Sequence, residues 1–374
     1  VTVNNVAPTI ALAGNASVDE GASYTLNLGT VTDPGTDTVA SYSIDWGDGT
    51  VTAGNAGDNA HVYADGANNY TIQVSVTDED GTYLAGSKAV TVNNVAPTIA
   101  LVSAASVNEG ASYTLNLGTV TDPGTDTVAS YSIDWGDGTV TAGNAGDNAH
   151  VYADGANNYT IQVSVTDEDG THLAGSKAVT VNNVAPSIAL AGAASVNEGA
   201  SYTLNLGAVT DPGTDTVASY SIDWGDGTVT AGNAGDNTHV YADGVNNYTI
   251  QVSVTDEDGT HLAGSKAVTV NNVAPTIALV SAASVNEGAS YTLNLGTVTD
   301  PGTDTVASYS IDWGDGTVTA GNAGDNAHVY ADGANNYTIQ VSVTDEDGTH
   351  LAGSKAVTVN NVAPSIALAG AVNV

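Results

Sequence analysis

Ser130-Tyr131-Ser132-Ile133-Asp134-Trp135-Gly136-Asp137-Gly138-Thr139 holds a strand and the turn that ends it. Tyr131, Ile133 and Trp135 alternate with Ser132 and Asp134, and a period of two sends neighbouring side chains to opposite faces of an extended chain. Gly136-Asp137-Gly138 then breaks the pattern. The alternation recurs downstream, where Tyr159, Ile161, Val163 and Val165 stand between Thr160, Gln162, Ser164 and Thr166, and upstream in Tyr113, Leu115 and Leu117. Val179 and Val181 mark a last strand. Asp122-Pro123-Gly124, Asp154-Gly155 and Asp169-Gly170 supply turn signals between the runs. No stretch carries an apolar stripe of helical period. Short one-sided strands separated by turns every 8–12 residues or so predict an all-β fold, a sandwich of two sheets.

This unit is written four times. Val-Thr-Val-Asn-Asn-Val-Ala-Pro starts at Val1, Val90, Val179, Val268 and Val357, a period of 89 residues, and Trp46, Trp135, Trp224 and Trp313 keep the same spacing. Residues 90–178 and 268–356 are identical, and the first copy differs from the second only at positions 13, 14, 15, 19 and 83. The period is too long for a solenoid unit of about 20–45 residues and suits one small autonomous domain. On length alone 374 residues suggest two or three domains. The period replaces that estimate: an end strand and linker at 1–6, repeats at 7–95, 96–184, 185–273 and 274–362, and the start of a fifth at 363–374. One copy holds roughly twenty Val, Ile, Leu, Tyr and Trp residues, enough for a modest single core.

Composition removes several functions. Cysteine is absent, so disulfides and thiolate metal sites are excluded. The 41 acidic residues face four lysines and no arginine, a formal net charge of −37. Nucleic-acid binding needs Lys and Arg for phosphate contacts, and an anionic membrane surface repels such a chain. No apolar run of about 18 residues is present to span a bilayer. Neither an initiator methionine nor a leader is visible, which fits a processed chain or a piece of a longer one. A hydrophobic content of 41% is too high for a wholly disordered acidic tail.

Three linked motifs carry a family resemblance. Trp135-Gly136-Asp137-Gly138 is followed by His150-Val151-Tyr152, and then by Tyr159 to Asp167 with alternating apolar positions. All three occur in order in every copy, and the chain resembles tandem PKD domains, which are immunoglobulin-like β-sandwiches. Trp stands where Phe is commoner before Gly-Asp-Gly, and Thr121 to Asp126 is a variant of the family's acidic loop. The resemblance implies spacer or adhesive modules rather than an enzyme. Near-identical tandem copies look like the extender regions of large bacterial or archaeal surface adhesins and fibres. That places the chain outside the cell or on its surface.

In such a sandwich the first strand leads away from the entry linker and the second returns. The loop after the second strand and the loop after the penultimate strand therefore share the entry pole with the linker. Asn93, Asn94, Asp122, Asp126, Asp167 and Asp169 then converge, joined by Glu20 from the exit pole of the preceding repeat. Crowded carboxylates repel unless they are protonated or counter-charged, and calcium takes six to eight oxygen ligands of this kind. Equivalent sets are Glu109, Asn182, Asn183, Asp211, Asp215, Asp256 and Asp258; Glu198, Asn271, Asn272, Asp300, Asp304, Asp345 and Asp347; and, without a preceding Glu, Asn4, Asn5, Asp33, Asp37, Asp78 and Asp80. The linker Asn-Asn-Val-Ala-Pro is similar to the cadherin linker, and calcium near the linker is implied by the PKD resemblance as well. The competing reading is solvated acids chosen for turn geometry. The EF-hand pattern is not met. Bound calcium would stiffen the joints, and its removal would loosen them.

Other residues have plainer readings. The register puts Trp135 in the core. Asp134 and Asp137 suit turn capping, and His150 a structural role beside Tyr152. Tyr83 gives way to His172, His261 and His350 in later copies, which suggests an exposed ring there. No Gly-x-Ser-x-Gly elbow is present, and four active sites on small sandwiches would be odd. Gly143-Asn144-Ala145-Gly146 lacks the Lys of a phosphate loop. Asn69-Tyr70-Thr71 and its equivalents form glycosylation sequons. Adaptation to high salt is a second explanation of the acidity. The partners expected are the neighbouring repeats of the same chain. The alternatives are self-association into a fibre or sheath through uncharged strand edges, or service as a polysaccharide- or protein-binding module of a secreted hydrolase.

Overall fold

A computed structural model of the chain describes residues 1–367 and 370. Repeat 1 contains β1 (Thr9–Ala13), β2 (Ser17–Asp19), β3 (Ser23–Thr32), β4 (Ser41–Asp45), β5 (Val51–Gly54), β6 (Gly57–Val62), β7 (Asn68–Thr77) and β8 (Thr82–Asn93). The same eight strands return 89 residues later in each further repeat, with one residue added to the first strand of repeat 4. No helix occurs among the described residues. The chain divides into two compact units, Val1–Val184 with Pro212–Thr214 and Ala185–Asp211 with Asp215–Val374. Residues 368–369 and 371–374 of the expected fifth repeat lie outside the described residues.

Each repeat is a two-sheet sandwich. In the first, β1, β3 and β6 form one sheet, and β2, β8, β7, β4 and β5 the other. Pairing is antiparallel apart from β2 and β8, which run parallel with Ser17 beside Thr91. The period-two residues do what alternation predicts. Tyr24, Leu26 and Leu28 of β3 face Ile44, Trp46, Ile72, Val74, Val76, Val90 and Val92 across one core, and the later repeats bury the equivalent residues.

Trp46 anchors this core. Its side chain is wholly buried, its Nε1 donates to Thr52 Oγ1 at 2.9 Å, and its carbonyl accepts from the Tyr63 hydroxyl at 3.1 Å. His61 stacks on the indole at 4.6 Å, and Tyr63 stacks on Tyr70 at 5.0 Å. Buried aromatics of this size dominate the energetics of a small core.

The pairing also fixes the two poles. Thr9 lies opposite Thr32, so the entry linker, the β3–β4 loop and the β7–β8 turn share one end. At the other end Glu20 N donates to Asn93 O at 3.0 Å and Gly21 N to Tyr63 O at 2.9 Å. That bonding gathers the β2–β3 turn, the β6–β7 loop and the departing chain.

Candidate metal centre

At the exit pole a buried glutamate holds the linker. Glu20 is 1% exposed, and its two oxygens accept from Gly66 N at 2.8 Å and Val95 N at 2.7 Å. Glu198 does the same with Gly244 N and Val273 N, and Glu287 with Gly333 N and Val362 N. Glu109 accepts from Val184 N at 2.6 Å. Charged acceptors with backbone donors are strong partners, so this glutamate sets the direction in which the chain leaves each repeat.

At the entry pole two of the aspartates turn one oxygen inward on their own loops. Asp122 Oδ1 accepts from Gly124 N at 2.8 Å, and Asp167 Oδ1 from Asp169 N and Gly170 N, both at 3.0 Å. Thr127 donates to Glu168 through both its amide and its hydroxyl. The aspartate bonds are Asx-type turn bonds, as the turn-geometry reading expects. The other oxygen has no such use. Oδ2 of Asp122, Asp126 and Asp167 is out of water and without a hydrogen-bond partner, and so are the equivalents in Asp300, Asp304 and Asp345. In repeat 1 the Oδ2 of Asp78 is in the same state. The residues Asp78, Asp167, Asp256 and Asp345 are each 9% exposed. A buried acceptor without a donor is costly.

The two poles meet through a docked loop. Thr125 N donates to Ala64 O at 2.9 Å, and Thr303 N to Ala242 O at the same distance in the second unit. Gly21 sits at a φ of +69°, where a Cβ would come within 2.5 Å of Pro123 O. Docking brings one ligand oxygen from each of Glu20, Asp65, Asp126 and Asp169 within 4.8 Å of the others. Glu198, Asp243, Asp304 and Asp347 form the matching quartet. A second grouping lies inside single repeats, as Asp33, Asp37 and Asp78, and as Asp211, Asp215 and Asp256. Burial first, then the charges of Glu20, Asp122, Asp65 and Asp169, push the Asp126 carboxyl up to about 7. Asp304 is pushed to about 7 by burial, then by Glu198, Asp300 and Asp243. In repeat 1 Asp37 is also raised, by burial and then by Asp33, Asp80, Asp78 and Glu79.

The sequence-based set is thus brought together in part. Glu20, Asp126 and Asp169 meet, while Asp122 and Asp167 lie deeper in the same loops. Asn94 Nδ2 donates to Asp169 Oδ2 at 2.9 Å, and Asn272 Nδ2 to Asp347 Oδ2 at 3.0 Å. Asn93, by contrast, spends its amide on Asp19 at 3.0 Å, and Asn182 and Asn271 pair with Asn108 and Asn197. Asn183 lies with its backbone against Gly155, and Asp258 N donates to Asp256 Oδ1. Asn5 Nδ2 donates to the Tyr83 hydroxyl at 2.9 Å, and Asn4 lines a cleft with Asp37 and Asp80. Asp65 and Asp243 were legible only as Asp-Gly turns, and no local signal tells that the next repeat will cover them.

The plainer readings also have their geometry. Asp134 Oδ1 accepts from Gly136 N, and Asp137 Oδ1 from Thr139 N, both at 2.9 Å. His150 Nε2 meets Asp137 Oδ2 at 2.7 Å. The ring expected to be exposed at position 172 is only part-exposed, and its Nε2 lies 4.0 Å from Asp167 Oδ1. The imidazole lies over Gly170 of the turn, as the Tyr83 ring lies over Gly81 in repeat 1, where its hydroxyl donates to Asp80 O.

The ligand atoms in these groups are all carboxylate oxygens. That set suits a hard cation such as calcium and offers nothing to a soft one.

A family model described as PKD domain matches residues 5–93, 94–182, 183–271 and 272–360. Among solved structures the chain is similar to immunoglobulin domains 1–4 of Sidekick-1, with 11% identity, 96% of this chain and 99% of that one covered, and a TM-score of 0.28. It is also similar to the I-band fragment I67–I69 of titin, with 11% identity, 72% and 99% covered, and a TM-score of 0.31. Comparison with curated protein sequences finds no match.

Proposed function

The chain belongs to the PKD domain family, with four copies in tandem, and on that premise we propose that it is a structural extender of a secreted or surface-anchored adhesin or fibre, its repeats stiffened by calcium at their junctions. Domains of this family are usually extracellular structural modules. Four domains of one design, with the same loop docking repeat 2 on repeat 1 and repeat 4 on repeat 3, suit a part whose task is reach. The observation that carries the calcium reading is the set of carboxylate oxygens at Asp122, Asp126 and Asp167 that have lost water and gained no donor. A divalent cation supplies what they lack. The accessory-module alternative calls for an exposed aromatic stripe. The large hydrophobics exposed among the described residues are instead Val, Leu and Ile, and all four Trp are buried.

The test is calorimetric titration of the full chain with calcium, alongside small-angle scattering with and without chelator. Calcium binding with a longer, narrower particle in its presence is the expected result. A chain that takes up no calcium, or keeps the same dimensions after chelation, sinks the stiffening role.

A further inference from the structure

The carboxylates that the sequence groups into one site per joint form two overlapping sets. The inner set belongs to a single repeat. Asp33, Asp37 and Asp78 bring one oxygen each within 4.8 Å of one another with no neighbouring repeat involved. Asp78 is 9% exposed, and its Oδ2 has no partner. The outer set crosses the joint, with Glu20 and Asp65 from one repeat and Asp126 and Asp169 from the next. Asp126 is the residue equivalent to Asp37, so it belongs to both sets. In repeat 2 the inner oxygens are orphaned throughout, at Oδ2 of Asp122, Asp126 and Asp167. Together the two sets gather six carboxylates at one joint, Glu20, Asp65, Asp122, Asp126, Asp167 and Asp169, far more negative charge than one divalent cation offsets.

We propose that a joint of this chain takes two divalent cations bridged by the shared aspartate. The inner ion is held within one repeat, and the outer ion only where the preceding repeat adds its glutamate and its Asp-Gly-turn aspartate. This rests on the calcium reading above and deepens it. Asp65 and Asp243 are the residues that distinguish the two ions. Each lies on the β6–β7 loop or its equivalent, takes part in the outer set alone, and faces the next repeat's Asp126 or Asp304.

The experiment counts calcium bound to the full chain by equilibrium dialysis, comparing the unaltered protein, the double variant Asp65→Asn with Asp243→Asn, and the single variant Asp78→Asn. Melting temperature in chelator confirms that each variant folds. The double variant is expected to lose one ion for each altered joint and to keep its inner ions. Asp78→Asn is expected to lose one ion from repeat 1 and no outer ion. If the double variant binds as many ions as the unaltered chain while Asp78→Asn loses one, the outer ion does not exist and the two-ion joint is wrong, with calcium stiffening left standing. If the double variant loses more than one ion per altered joint, the sets are not separable and the proposal is equally wrong. A chain that binds no calcium in any form overturns the broader function as well.

Discussion

Thr-Asp-Pro-Gly-Thr-Asp stands at 32–37 in repeat 1 and at 121–126 in repeat 2, and the two copies live in different settings. Their turns are alike. Asp33 Oδ1 accepts from Gly35 N at 2.7 Å, and Asp122 Oδ1 from Gly124 N at 2.8 Å. Their surroundings are not. The loop of repeat 2 lies on Gly21 and Ala64 of the preceding repeat, and Asp126 rises to about 7 through burial and then Glu20. The undocked copy has a single orphaned oxygen, on Asp78, where the docked one has three. Identical letters therefore give a mostly solvated turn in one place and a hole lined with carboxylates in the other. Asp37 is already raised within its own repeat, and the docked neighbour adds to that stress at Asp126 by removing more water and bringing Glu20 and Asp65 close.

The largest way to break this contrast is to unfold the repeat that carries the docked loop. Trp135→Ala is predicted to cost about 3–5 kcal/mol, the range for deleting a large buried aromatic. Repeat 2 should then melt in a separate, earlier transition by calorimetry while repeat 1 stays folded. Trp46→Ala should do the reverse. A single merged transition in both variants would mean that the repeats are not autonomous, and that the two loops cannot be compared as independent copies.

A smaller effect separates the exit poles. Glu20→Ala strips Gly66 N and Val95 N of their acceptor in a covered site, which should destabilise the joint by about 1–3 kcal/mol. The glutamate of repeat 4, Glu287, makes the same two bonds in a more open setting, and its carboxyl is held below the ordinary value by the amides of Val362 and Gly333. Its alanine variant should speed exchange of those two amides and leave other repeats untouched. Equal damage from both substitutions, read by hydrogen exchange, would remove docking from the explanation.

Gly21→Ala against Gly288→Ala isolates contact from backbone strain. Both glycines have positive φ, +69° and +73°, so the left-handed penalty is common to both. Only Gly21 is crowded: a methyl group there would lie 2.5 Å from Pro123 O, while Gly288 has no described atom within 4 Å of the same position. The excess cost at Gly21 should be about 1–3 kcal/mol, the usual range for forcing volume into a packed site. No difference in melting between the two would show that Pro123 yields freely.

The fold was legible because alternation is local. Tyr24, Leu26 and Leu28 announce their face without help, and the 89-residue period multiplies the signal. The entry pole was legible too, since strand direction alone carries Asp122, Asp126, Asp167 and Asp169 to the same end. What the letters could not tell was occupancy. Asn93 and Asn94 are adjacent and chemically equal, yet one is spent on Asp19 and the other reaches Asp169, a matter of which way the linker turns after Glu20 has caught Val95. Asp65 was hidden for a related reason: its role depends on a loop about sixty residues downstream being laid over it, and no periodicity carries that information.

The smallest prediction uses a turn that should ignore the joint altogether. In repeats 1 and 2 alike, burial pushes up the carboxyl of Asp48 or Asp137, but bonds from Thr50 or Thr139 and from His61 or His150 outweigh it and leave the group below its ordinary value. A depressed carboxylate contributes stability that is present above the ordinary value of about 4 and is lost as pH falls through the lower folded value. Acidification should therefore weaken both repeats by the same amount, less than about 1 kcal/mol each after allowing for solvent screening. Asp48→Asn and Asp137→Asn should flatten the acid limb of the unfolding curve equally. If Asp137→Asn flattened it and Asp48→Asn did not, the influence of the docked neighbour would reach across the sandwich to the Gly-Asp-Gly turn. The difference between the two loops would then belong to the whole repeat, because a purely local junction leaves this remote turn identical in both settings.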